Sequence, residues 1–149
     1  MTQEFCFPSD VSMVSVSLFS GGGFGDIGIH YGTGINVLAC SELLSSRCEV
    51  LRRLFPLAKV FEGDLWETHK DLIGHIRDVL GENMRPFVLI MSPPCQGMSS
   101  NGVGRINSQV AKGKREEHDQ RNRLVIPGIE TVLALKPEWF ILENVKAMK

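Results

Sequence analysis

The sequence lacks the features that would place the chain in a membrane or tie it to a structural metal. No apolar run in its 149 residues reaches the ~18 residues that a membrane-spanning helix needs. Residues 1–10 include acidic side chains and no positively charged stretch, which argues against a secretory signal. The four cysteines form no CxxC pair and show no cysteine–histidine spacing typical of zinc. We therefore expect a cytoplasmic protein with reduced thiols and no metal.

Neither positive nor negative charge predominates over the whole sequence. Sixteen Lys and Arg against seventeen Asp and Glu give a net charge of −1, which does not indicate a nucleic-acid binder. Locally the balance differs, because residues 103–123 carry six basic and three acidic side chains, a net of +3. Such a segment is suited to facing phosphates, but it is equally typical of a solvated loop with mixed charges.

Apolar runs and helical patterns alternate along the rest of the chain. Strands are predicted at 14–19, 35–40, 58–61, 87–91 and 139–142. Helices are predicted after the first strand, from a cap at Ser45 or Ser46 to Leu54, around 72–80 and over 124–135. Continuous apolar strands between helices are typical of an α/β fold whose mostly parallel sheet is covered on both faces. Residues 1–13 are predicted to be an N-terminal extension, and 14–149 a single domain.

Polar features follow the predicted strands at the points where these end. They are a glycine-rich turn, two acidic residues, a cysteine in a Pro-Pro-Cys loop and a glutamate: residues 20–28, Glu42, Asp64, Cys95 and Glu143. In open α/β sheets ligands bind beyond the carboxyl ends of the strands. The pattern therefore predicts one ligand-binding crevice.

The glycine turn supports more than one interpretation. Residues 23–28 satisfy GxGxxG after a strand, and Glu42 follows at the distance expected of a ribose-binding carboxylate. A dinucleotide-dependent oxidoreductase is therefore a rival hypothesis, and the glycines alone are also compatible with a tight turn and no ligand. If a ligand binds, both functional interpretations predict a cofactor that contains adenosine.

Two residues carry the predicted chemistry. Cys95 follows two prolines in a polar, glycine-containing loop, which suits a nucleophile better than core packing, whereas Cys6, Cys40 and Cys48 fit the core. Glu143 ends a very apolar strand, where an ionised carboxylate is costly to bury. That cost favours a role in holding or exchanging a proton, although a helix-capping or ion-paired glutamate is the plainer alternative.

Taken in order, these segments resemble the C5 cytosine DNA methyltransferases. Residues 19–23 are similar to the cofactor motif of that family, and Glu42 and Asp64 to its two acidic cofactor contacts. Residues 93–96, Pro-Pro-Cys-Gln, are similar to its catalytic motif, and residues 143–145, Glu-Asn-Val, to its catalytic glutamate motif. The similarity extends from about Val14 to Val145.

The resemblance implies a Rossmann-like fold that binds S-adenosylmethionine and releases S-adenosylhomocysteine. It implies that Cys95 attacks C6 of a flipped cytosine in double-stranded DNA and that Glu143 assists at N3. The implied cofactor contacts are Phe19, Ser20, Gly21, Gly22, Gly23, Glu42, Asp64, Leu65 and Pro93. The implied DNA contacts are Gln96, Ser99, Arg105 and Arg121.

The resemblance also implies an incomplete enzyme. The family continues beyond the glutamate motif with a further arginine motif and a target-recognition region, whereas this sequence ends at Lys149, after the fifth predicted strand. We therefore expect a fragment, or one part of a split bacterial modification enzyme that works with a complementing C-terminal half at the nucleoid. An inactive remnant that binds the cofactor and acts as an interaction module is the alternative from another class.

Overall fold

Five strands and four helices alternate in the computed structural model, which describes residues 9–94 and 123–144. In chain order they are β1 (Val11–Leu18), α1 (Phe24–Thr33), β2 (Asn36–Glu42), α2 (Ser45–Leu54), β3 (Lys59–Glu62), α3 (Leu65–Leu80), β4 (Arg85–Met91), α4 (Val125–Leu135) and β5 (Trp139–Leu142). The alternation predicted from the apolar runs is confirmed. The bounds of β5 agree with the prediction, whereas β1 begins earlier, at Val11.

The strands form one sheet in the order β3-β2-β1-β4-β5, and all four pairings are parallel. Leu18 at the end of β1 is in register with Ser41 of β2 and with Met91 of β4. Met91 is in turn in register with Leu142 of β5. The carboxyl ends of the strands therefore meet at one edge, as the positions of the polar residues predicted.

Helices cover both faces of the sheet, and each face has its own apolar core. On one face α3 and α4 pack against β1, β2 and β4 through the buried side chains of Val16, Leu18, Ala39, Leu65, Leu72, Ile76, Leu89, Met91 and Leu135. On the other face α2 packs against β2 through Val37, Cys40, Leu51 and Phe55, with Ile27 of α1 beside them. This arrangement confirms the predicted α/β class.

Glycine at position 128 brings α4 close to the sheet. A Cβ atom there would overlap the Met91 sulfur, so the absent side chain allows the helix to lie directly over β4. The predicted cap of α2 is wrong in detail. Leu44 occupies the N-cap position, and the Ser45 hydroxyl instead donates to the Glu62 carboxylate of β3.

Strand β5 is apolar and exposed along its whole length. Its four residues are Trp, Phe, Ile and Leu, and Trp139 keeps 60% of its surface accessible. Within the described part of the chain its only strand neighbour is β4. An apolar strand with one side unpaired is prone to pair with a further strand. Across the described helices, none combines the length and the apolar character needed to cross a membrane.

Candidate active site at the carboxyl edge of the sheet

The turn after β1 uses a backbone conformation that favours glycine. Phe19, Gly21 and Gly23 all have positive φ, at 58°, 58° and 81°. Gly23 is the N-cap of α1, and a Cβ there would lie 2.9 Å from a Leu51 methyl group. The other two glycines of the GxGxxG pattern, Gly25 and Gly28, lie inside α1 at ordinary φ. The pattern thus marks a helix start, and its last two glycines make no phosphate-binding turn.

Glu42 joins this turn to the end of β2. Its side chain is 6% exposed, and each carboxylate oxygen accepts a backbone hydrogen bond of 2.9 Å, Oε2 from the Gly21 amide and Oε1 from the Leu44 amide. Arg47 lies 3.8 Å from Oε1. A carboxylate offers about four acceptor positions, so further positions are free for hydroxyl donors. Glu42 is therefore held in place and can still bind a ligand.

A cleft of about 520 Å³, here called the Glu42 cleft, opens at this edge of the sheet. It brings together two acidic residues predicted to contact a cofactor, Glu42 and Asp64, with Phe19, Leu65 and Pro93. The predicted catalytic Glu143 also contributes to its wall. Six of the predicted site residues thus surround one cavity, which is of a size suited to a nucleoside-containing ligand.

Asp64 also has a structural task. It is the N-cap of α3, and its Oδ1 accepts a 2.9 Å hydrogen bond from the Trp66 amide. The preceding Gly63 donates its amide to the Glu42 carbonyl oxygen at 3.0 Å, which fixes the ends of β2 and β3 relative to each other. A helix-capping carboxylate at the cleft wall serves stability and leaves its second oxygen for other donors.

A second cavity of about 580 Å³ lies on the α1 side of the turn and is called the Asp26 cleft. Ser20, Gly21 and Gly22 line it, while Phe19, Ser92 and Glu143 line both cavities. Gly23 lines neither cleft and is the N-cap of α1.

Asp26 itself is a residue that sequence reasoning missed. It is 1% exposed in the first turn of α1, and its Oδ1 has no hydrogen-bond partner. Burial raises its pKa from 3.8 to about 6, and hydrogen bonds from Ser17 and from its own backbone oppose only part of that rise. An acidic residue in a first helical turn is usually solvated, so nothing in the sequence distinguishes this one.

Glu143 follows β5 and donates its backbone amide to the Met91 carbonyl at 3.0 Å. Its side chain is exposed, so the burial cost expected from the apolar strand does not arise. The strand that delivers it is itself open to solvent on both faces, because no described helix covers β5. The sequence pattern of an apolar strand was therefore a poor guide to the surroundings of the carboxyl group.

Asn144 belongs to the predicted glutamate motif at residues 143–145, but no role was predicted for its side chain. Its Nδ2 donates to the Pro93 carbonyl at 3.0 Å. Pro93 and Pro94 have no amide hydrogen, so they cannot extend the parallel ladder beyond Ser92. The Asn144 side chain donates to a carbonyl of this Pro-Pro segment and so connects the segment to the end of β5.

We expect Asn144→Ala to loosen this tie without unfolding the sheet. Losing one hydrogen bond of about 1 kcal/mol should raise amide exchange at Ser92 and Glu143 roughly fivefold. Hydrogen exchange read by mass spectrometry or NMR measures the effect. Asn36→Ala, at the opposite end of β2, is the matched control, and equal acceleration in both variants would contradict the assignment.

The remaining predicted site residues lie outside the described parts of the chain: Cys95, Gln96, Ser99, Arg105 and Arg121. Two other cysteines are described, and both are buried and free. Burial raises the pKa of the Cys40 thiol to about 12, with the nearby Asp26 charge adding to the rise. A thiol of that kind is inert at neutral pH. Within residues 9–94 and 123–144 no group of His, Cys, Asp and Glu is arranged to hold a metal ion.

Comparison with known proteins identifies the family. The C-5 cytosine-specific DNA methylase family matches residues 13–149, nearly the entire chain. The chain belongs to this family. The match favours a methylase over the rival dinucleotide-dependent oxidoreductase, and it agrees with the motifs at residues 19–23, 93–96 and 143–145.

Curated relatives are Type II methyltransferases. The chain is 31% identical to M1.HgaI of Avibacterium volantium over 90% of its own length and 35% of the relative. It is 32% identical to M.AquIA of a Picosynechococcus strain, over 89% of its own length and 48% of the relative. It therefore spans between about a third and a half of these two proteins. M.HgiGI of Herpetosiphon aurantiacus is 28% identical and is matched over 91% of its length.

The fold is also found in a crystal structure described as that of a DNA modification methyltransferase encoded within an E. coli prophage. The two chains superpose with a TM-score of 0.67 at 24% identity, over 93% of this chain and 34% of the other. The likeness confirms the methyltransferase-type α/β architecture that was expected from the sequence.

Proposed function

We propose that this methylase chain carries the cofactor site and the catalytic residues for methylation of cytosine C5 in double-stranded DNA, with S-adenosylmethionine as methyl donor. The observation that carries the proposal is the Glu42 cleft, where Phe19, Glu42 and Asp64 meet beyond the carboxyl ends of three parallel strands. Carboxylates at such strand ends suit the hydroxyl and amino groups of an adenosine.

The residues of the cleft fit that cofactor by their chemistry. Glu42 is fixed by two backbone donors and retains acceptor positions for the two ribose hydroxyls. Asp64 offers the oxygen not used in capping α3 to the adenine amino group. Phe19 and Leu65 supply apolar contacts to the base, and the backbone of Ser20, Gly21 and Gly22 lines the adjoining Asp26 cleft for the methionine portion.

The proposed chemistry divides between two side chains. The Cys95 thiolate adds to C6 of the target cytosine, while Glu143 donates to N3 and accepts from the exocyclic amine, so that electron density moves to C5. When bound, S-adenosylmethionine supplies the electrophilic methyl group that C5 takes. Loss of the C5 proton and expulsion of Cys95 then restore the ring. The base must leave the duplex stack for either side chain to reach it.

DNA binding is proposed for Gln96, Ser99, Arg105 and Arg121, and the two arginines lie in the segment with the local excess of positive charge, residues 103–123. Because the chain spans 35% of M1.HgaI and 48% of M.AquIA, we assign the choice of DNA sequence to a part of the enzyme outside the matched stretch, in the same polypeptide or in a complementing one. We place the working enzyme in the cytoplasm at the nucleoid.

Calorimetry tests which cofactor the chain binds. S-adenosylmethionine and S-adenosylhomocysteine are expected to bind the isolated chain with dissociation constants in the micromolar range or tighter, and NAD is not. Binding of NAD without binding of S-adenosylmethionine would overturn the proposal in favour of a dinucleotide enzyme.

Covalent trapping tests the nucleophile. With the C-terminal portion of a longer family member added in trans, the chain is expected to form a denaturant-stable adduct with DNA containing 5-fluorocytosine, because fluorine blocks the loss of the C5 substituent. Cys95→Ser should abolish the adduct, whereas Cys40→Ala, at a buried thiol of raised pKa, should retain it. Cofactor binding without any adduct would favour the inactive, cofactor-binding module instead.

A further inference from the structure

A histidine occupies a position of α3 where the helical spacing calls for an apolar side chain. Leu65, Leu72 and Ile76 form the buried stripe of this helix, and His69 lies on the same stripe with 4% of its surface exposed. Burying an imidazole is costly unless its ring nitrogens form hydrogen bonds. Neither the cofactor site nor the proposed chemistry uses this ring.

Both ring nitrogens of His69 face an oxygen atom. Nδ1 lies 2.9 Å from the Leu65 carbonyl oxygen, one turn earlier in α3, and Nε2 lies 3.2 Å from Glu130 Oε2 on α4. The Glu130 side chain is 54% exposed, so the contact joins a buried ring to the surface of the neighbouring helix. Among the described residues, no other carboxylate lies within ion-pair distance of this ring.

These two contacts need one proton more than a neutral imidazole carries. A carbonyl oxygen and a carboxylate oxygen only accept, so both ring nitrogens must donate. A neutral imidazole has one N–H, and in either tautomer the other nitrogen turns its lone pair towards an oxygen. The observed arrangement is therefore satisfied when the ring and the carboxyl group together hold one extra proton.

The contact between the two helices lies below the Glu42 cleft. Leu65 lines the cleft four residues before His69, and Leu124, the N-cap of α4, lines it six residues before Glu130. At about 1.5 Å per helical residue, the contact is about 6 Å from the cleft along α3 and about 9 Å along α4. The separation of the helices at this level therefore affects how far apart the two leucines lie.

We propose that His69 and Glu130 are a positioning pair, in which the shared proton ties α4 to α3 and so fixes the separation of Leu65 and Leu124 at the Glu42 cleft. When the proton leaves, two acceptors face each other, and the exposed Glu130 carboxylate turns towards water. The inference deepens the proposed function and rests on it, because the cofactor is taken to bind in this cleft. Affinity for the cofactor then falls as the pH rises.

Other ionisable groups of the elements packed against α3 are engaged elsewhere or belong to α3 itself. Glu42 on β2 bonds two backbone amides, the Cys40 thiol lies in the core of the other face, and Glu62 on β3 forms its ion pair with α2. On α4 Glu130 is the one ionisable residue. The remaining groups are an exposed lysine of β3, the N-cap of α3 and the other charged residues and histidine of that helix: Lys59, Asp64, Glu67, Lys70, Asp71, His75, Arg77 and Asp78.

A second contact between the same helices supplies a control. Arg77 Nη2 on α3 donates to the Ala134 carbonyl oxygen of α4 at 3.2 Å, about two turns beyond His69. A guanidinium keeps its charge throughout the range in which histidine titrates, so this tie does not depend on pH. Arg77→Ala should therefore loosen the helix pair and leave its pH dependence unchanged.

Amide hydrogen exchange in the ligand-free chain tests the pair. Protection factors, which correct for the intrinsic pH dependence of exchange, are expected to fall about fivefold in α4 between about pH 5.5 and about pH 8, the effect of one hydrogen bond. In Glu130→Gln the fall should disappear, because the Gln amide accepts from the charged ring and donates to the neutral one. Arg77→Ala should lower protection at both pH values and keep the fall. An equal fall in wild type and Glu130→Gln would overturn the proposal.

Calorimetry with S-adenosylhomocysteine reads the effect on the cleft. The wild-type dissociation constant is expected to rise about fivefold over the same pH range, whereas that of Glu130→Gln should stay within about twofold. His69→Leu keeps an apolar side chain in the core but makes no hydrogen bond, and it should bind weakly at both pH values. Binding by His69→Leu as tight as that of the wild type at about pH 5.5 would show that packing alone places α4, and the role of the pair would be rejected.

The two proposals fail separately. A pH-dependent protection of α4 without cofactor binding would reject the proposed function and leave the role of His69 and Glu130 intact. Cofactor binding with the same pH profile in wild type and Glu130→Gln would reject the role of the pair alone.

Discussion

Replacing Asp26 by Asn is expected to favour the variant increasingly as the pH rises. Between pH 3 and pH 8, the free energy of unfolding of the variant minus that of the wild type should increase by about 3 kcal/mol. The folded-state pKa of Asp26 is raised from 3.8 to about 6, so the folded chain binds a proton more tightly than the unfolded chain does. That contribution to stability is complete below about pH 3.8 and is lost as the pH rises through about 6. The side chain is 1% exposed, so solvent screens little of the effect.

Urea unfolding at a series of pH values measures this difference. Asp71→Asn removes an exposed carboxyl from α3 and is the matched control, with a change within about 0.5 kcal/mol at every pH. Parallel stability curves for the wild type and Asp26→Asn between about pH 4 and about pH 7 would show that Asp26 is ionised and solvated in the folded chain.

Removal of the Glu42 carboxylate is expected to cost both stability and cofactor affinity. In Glu42→Ala the Gly21 and Leu44 amides lose their 2.9 Å acceptors, and two partly buried donors without partners should lower the free energy of unfolding by about 2 to 4 kcal/mol. If Glu42 also accepts the ribose hydroxyls, affinity for S-adenosylmethionine should fall about a hundredfold. Denaturant unfolding and calorimetry give the two numbers.

Comparison with Glu42→Gln separates the two roles. The Gln side chain keeps one acceptor oxygen, so it should recover about half of the lost free energy of unfolding. Its NH₂ group faces the second backbone amide, and two donors cannot form a hydrogen bond. Glu49→Ala, at an exposed position on α2, should change neither quantity. Unchanged cofactor affinity in a folded Glu42→Ala protein would remove Glu42 from the proposed site.

The architecture was predictable because it depends on local patterns. Buried parallel strands are continuously apolar, as in residues 87–91, and helices between them repeat apolar positions at helical spacing. The convergence of Glu42, Asp64 and Glu143 followed from the parallel topology alone, since the carboxyl ends of such strands share one edge. The roles proposed for these residues came from the family resemblance.

Features that depend on distant contacts were not predictable. The Asn144 tie to Pro93 requires the register between β4 and β5, which no local pattern encodes. The burial of Asp26 depends on how α1 packs beside β1 and β2, which no local pattern encodes. At α2 a serine pattern suggested a cap, but the Glu62 carboxylate of β3 competes for the Ser45 hydroxyl.

The central place of β1 has a consequence for biosynthesis. Its partner β2 follows closely in the chain, but its other neighbour, β4, is translated only after two further helices and β3. A growing polypeptide therefore displays one bare side of its first strand until residues 85–91 leave the ribosome. Pairings between segments so far apart form slowly and invite wrong partners in the interval. The cavity at the carboxyl edge is thus among the last parts of the molecule to take shape, and slow translation before Arg85 would lengthen the vulnerable period.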